Sequence, residues 1–82
     1  MDYFAGLDVS MEETHICVVD RDGTIIGETK SRTSPVEIVA ALGDLPECRR
    51  VVFETGRMAP MLFHGLAAAG VPVVCIESRH AY

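Results

Sequence analysis

The feature that most limits what this chain can fold into is a succession of short apolar runs, broken by turn residues and by two stretches of helical spacing. The longest run, residues 71–76, is strand length, and so are its predecessors at 3–8, 14–20, 24–30 and 49–54. Between the second and third runs, Arg21-Asp22-Gly23 supplies a turn in which Asp-Gly is a strong hairpin signal. Ser34-Pro35-Val36-Glu37 combines an N-cap serine, a proline at the first helical position and a capping-box glutamate. Ile38, Val39, Ala41 and Leu42 then follow at helical spacing. A helix over 35–42 ending at Gly43 is expected, and a second near Pro60, with Leu62, Leu66 and Ala69 on one side, running to Gly70. The run over 49–54 is apolar on both sides, as for a strand buried between layers.

The expected order is strand, strand, strand, helix, strand, helix, strand. A meander followed by alternating helix and strand gives an α/β fold with a mixed five-stranded sheet, antiparallel at first and parallel where helices act as crossovers.

Eighty-two residues make one small domain or a piece of a larger one, and 49% hydrophobic with 23% charged residues is ordinary for a folded chain. No run approaches the ~20 apolar residues that cross a bilayer, and no basic segment precedes an apolar one at the start, so a soluble cytoplasmic protein without a membrane partner is expected. Cys17, Cys48 and Cys75 cannot all pair and read as buried, reduced thiols. His15, His64 and His80 lack zinc-ligand spacing. A net charge of −5 with Lys30 as the single lysine argues against gripping nucleic acid unaided, though metal ions can bridge acids to phosphates.

Two acids end apolar runs: Asp8 after Leu7, and Glu54 after Phe53. Open α/β sheets gather ligands at the carboxyl ends of their strands, so both carboxylates are expected at one site. Carboxylates held together favour a shared hard cation such as Mg2+ or Mn2+, which points to metal-assisted phosphoryl transfer. Each acid also has an ordinary use, in capping a turn or helix or in facing solvent. Ser10 and Arg57 are weaker candidates for phosphate contact: a serine after a strand commonly forms a turn, and a lone arginine before a helix is commonly solvated.

Phe4-Ala5-Gly6-Leu7-Asp8-Val9-Ser10, Val52-Phe53-Glu54-Thr55-Gly56 and the stretch from Leu62 to Val74 around Ala69-Gly70-Val71 resemble the amino-terminal part of the DEDD transposases of the insertion-sequence-110 family. The catalytic domain of that family is similar to the Holliday-junction resolvase RuvC and has a ribonuclease H-like fold. The resemblance covers nearly the whole chain. It implies that Asp8 and Glu54 are catalytic metal ligands, that two Mg2+ or Mn2+ ions serve the full-length enzyme, and that this enzyme cleaves and transfers DNA strands. The family's later Asp-x-x-Asp motif has no counterpart here, because Glu77 is the last acid. The chain is therefore expected to be an inactive fragment of a larger enzyme whose partners are DNA and, as further openings, a guide RNA or accessory protein.

Two other readings remain open. The same element order begins actin-like ATPase and sugar-kinase lobes, although no glycine follows Asp8 to let a nucleotide approach the backbone. A non-catalytic homodimerising module is the other, since a small sheet exposes an edge and apolar surface.

Overall fold

The computed structural model describes residues 2–54, 56 and 58–76. Within them, β1 (Phe4–Val9), β2 (Glu13–Val19), β3 (Ile25–Arg32), α1 (Pro35–Gly43), β4 (Arg50–Glu54), α2 (Ala59–Ala68) and β5 (Val73–Ile76) follow the expected order. The strands form one mixed sheet in the order β3-β2-β1-β4-β5. β1 and β2 pair antiparallel, as do β2 and β3, whereas β4 lies parallel to both β1 and β5.

Local chemistry accounts for the connections. The β2–β3 loop closes through the Gly23 N–H to the Asp20 carbonyl (3.1 Å), with Gly23 at φ +84°, a backbone state open to glycine. Asp20 reinforces it, its Oδ1 accepting from the N–H groups of Asp22 (2.8 Å) and Thr24 (3.0 Å). α2 ends in a left-handed Gly70 (φ +85°), and the N–H groups of Gly70 and Val71 return to the carbonyls of Ala67 and Leu66, both at 3.0 Å. α1 departs from expectation at both ends. The Ser34 side chain makes no capping bond, and Gly43 is the last helical residue without a left-handed turn.

The core lies on one side of the sheet. Ala5 and Leu7 of β1, Ile16 and Val18 of β2, and Val51 and Phe53 of β4 bury against Ile38 of α1 and Leu62 and Leu66 of α2. Period-two alternation turns the intervening residues away, and Asp8, His15 and Glu54 are exposed while Cys17 and Val52 are half-buried. Among the described residues β4 is thus covered by helices on one side only, which corrects the expectation of a strand between two layers. Ala69, expected on the buried side of α2, is exposed at the helix end. The three cysteines are free and half-buried rather than fully buried. No helix among the described residues is long and apolar enough to cross a membrane.

Candidate metal centre

Asp8 and Glu54 meet through strand register. Leu7 of β1 pairs with Phe53 of β4, and both side chains enter the core. The next residue on each strand is an acid, so Asp8 and Glu54 emerge together on the opposite side, at the carboxyl ends of parallel strands about 4.8 Å apart. They line a cleft of about 750 Å3 over the uncovered side of the sheet, with Gly6, His15, Cys17 and Val52 among its other walls. Asp8 and Glu54 thus line one cleft at the carboxyl ends of neighbouring parallel strands.

The surroundings suit oxygen-ligand chemistry. Two exposed carboxylates present hard donors to solvent, and nothing lies within 4 Å of a Cβ added at Gly6, so the cleft floor beside Asp8 is open. Glu54 pairs in register with Ile76 of β5, which also lines the cleft. Among the described residues no group of three or more His, Cys, Asp or Glu side chains is placed to hold one ion, although Glu28 lines the same cleft as Asp8 and Glu54.

Ser10 follows β1 in a tight turn. Its N–H and its Oγ both donate to the Glu13 carbonyl, at 2.9 and 2.6 Å, and its own carbonyl accepts from the Thr33 hydroxyl at 2.6 Å. In this arrangement the Ser10 hydroxyl has no hydrogen left to offer a phosphate oxygen. Arg57 lies outside the described residues, as does His80.

Two residues near the acids were not singled out by sequence. Asp8 pairs in register with His15, and His15 with Lys30 of β3, so Lys30, His15 and Asp8 occupy one row across three neighbouring strands, and Glu54 follows Phe53, the register partner of Leu7. Counting back from the Asp22-Gly23 hairpin places Lys30 near His15. The β1–β2 register depends on a turn through Met11 and Glu12 that carries no glycine or proline to mark it.

No protein-family model matches the chain, and no curated protein matches its sequence.

Proposed function

We propose that this chain is the amino-terminal part of a ribonuclease H-like catalytic domain from a DNA transposase, of the kind that its resemblance to the DEDD insertion-sequence-110 family implies. The observation that carries this reading is the emergence of Asp8 and Glu54, side by side, from the carboxyl ends of two parallel strands. The sheet order, with β1 central and flanked by an antiparallel and a parallel neighbour, supports it.

In this reading the two carboxylates bind Mg2+ or Mn2+ through oxygen. When held there, such ions would supply activation of an attacking oxygen and stabilisation of the leaving one at a phosphodiester. The chain's own contribution is position. β1 and β4 are anchored by Leu7 and Phe53, so each acid projects from a strand whose preceding side chain is held in the core. Two further acids, from the paired-aspartate motif of the family, would complete the full-length enzyme's set, and this chain by itself is proposed to bind metal without cleaving DNA.

The test is a titration with Mn2+ followed by amide NMR. Paramagnetic broadening that begins at Asp8 and Glu54, and that Asp8→Asn abolishes, is the expected result. Uniform broadening, or none at millimolar Mn2+, would refute the metal-centre reading.

A further inference from the structure

We propose that His15 and Lys30 bind the phosphodiester backbone of a nucleic acid strand beside the carboxylate pair, holding a phosphate that neighbours the one engaged at Asp8 and Glu54. This rests on the metal-centre reading and extends it to the path of the substrate.

The row geometry carries the inference. Asp8, His15 and Lys30 are paired successively across β1, β2 and β3, so their side chains leave the same side of the sheet. With strands about 4.8 Å apart, the imidazole lies one strand from Asp8 and the ammonium two strands away. The row therefore passes from oxygen acceptors at Asp8 to hydrogen-bond donors at His15 and Lys30. That order suits a phosphate chain crossing the sheet, which would be bridged by metal at one place and held by donors at the next.

Composition sharpens the assignment. Lys30 is the only lysine in a chain with net charge −5, and it stands in the same row as Asp8. Its ion pair with Glu13 is loose, at 3.6 Å with side chains 63% and 53% exposed, so exchanging that carboxylate for a phosphate costs little. His15 is exposed and lines the cleft. Either tautomer of neutral imidazole retains one N–H to donate, so the contact does not require a charged ring. The neighbouring Ser31 hydroxyl is turned to the Arg32 carbonyl (2.9 Å) and adds no free donor here.

The experiment uses the 82-residue chain with a thymidine octanucleotide in Mg2+, alongside Mn2+ broadening on the same samples. Lys30→Gln and His15→Gln are exposed substitutions, and circular dichroism confirms that each variant is folded. Octanucleotide binding should shift the amide signals of His15 and Lys30. Each variant should weaken it about threefold to tenfold, and Lys30→Gln should lower the slope of log affinity against log salt by about 0.7, the value for one phosphate contact on a single strand. Wild-type affinity and slope in both variants would overturn the proposal, as would absence of octanucleotide binding. If Mn2+ still broadens Asp8 and Glu54 in those cases, the metal centre stands and the backbone contact alone is lost. Absence of that broadening removes the metal centre and this proposal with it.

Discussion

Thr14 donates its hydroxyl hydrogen to the Oγ1 of Thr33, at 3.0 Å. The direction follows because Thr33 spends its own hydrogen on the Ser10 carbonyl at 2.6 Å. This two-step chain ties the β1–β2 turn to the β3–α1 junction, next to the strand end that carries Asp8. Thr14 is fully buried, whereas Thr33 is half-buried.

The two ends of that chain should respond unequally to removal. Thr33→Val leaves a buried Thr14 hydroxyl without an acceptor and should cost about 1–3 kcal/mol. Thr14→Val takes away the donor but leaves Thr33 bonded to Ser10, so its cost should be smaller. Urea unfolding of both variants measures the difference, and a larger loss for Thr14→Val would reverse the assigned direction.

Gly65 marks where α2 crosses α1. A Cβ built there would come 2.6 Å from the Pro35 Cβ and closer still to its Cγ, against a ring that cannot rotate away. Alanine is the better helix former by about 1 kcal/mol, yet Gly65→Ala should destabilise by about 1–3 kcal/mol because α1 must shift. Denaturant midpoints test the sign: a more stable variant would mean that the helices separate freely.

Stabilisation by a divalent ion should depend on both acids. At ten times its Kd, Mg2+ should add about 1.4 kcal/mol to unfolding free energy through preferential binding to the folded chain. Asp8→Asn and Glu54→Gln should each abolish that gain. Urea titrations at matched ionic strength, with and without Mg2+, provide the measurement.

Alkaline pH should weaken the fold through Cys48. Burial pushes its thiol above the ordinary value of 9.0, so the folded chain holds this proton more tightly than the unfolded one. Its contribution to stability is present in full below that value and is lost as pH rises through the folded one. Unfolding free energies of wild type and Cys48→Ala, measured on both sides of about pH 9, should show a steeper alkaline decline in wild type.

Much of this architecture was legible because its signals are local. The Asp22-Gly23 turn, the Ser34-Pro35 helix start and the Leu62–Leu66 spacing each fix an element through nearby residues, and all three elements form. The one-sided core was not legible. Val51, Val52 and Phe53 are all apolar, and only the placement of α1 and α2 on the same side decides which of them is buried. The role of Gly65 was not legible for the same reason, since its partner Pro35 lies on another helix. The joint placement of Asp8 and Glu54 could be anticipated from strand ends, but the row through His15 and Lys30 required the β1–β2 register, for which the turn at Met11 and Glu12 carries no mark.

With both described helices gathered behind the sheet, odd and even positions of a single strand answer to different pressures. Ala5 and Leu7 hold the fold together, while Gly6 and Asp8, one step along, carry almost none of that duty. Chemistry on the bare side can be rewritten residue by residue while the scaffold beneath it is left intact.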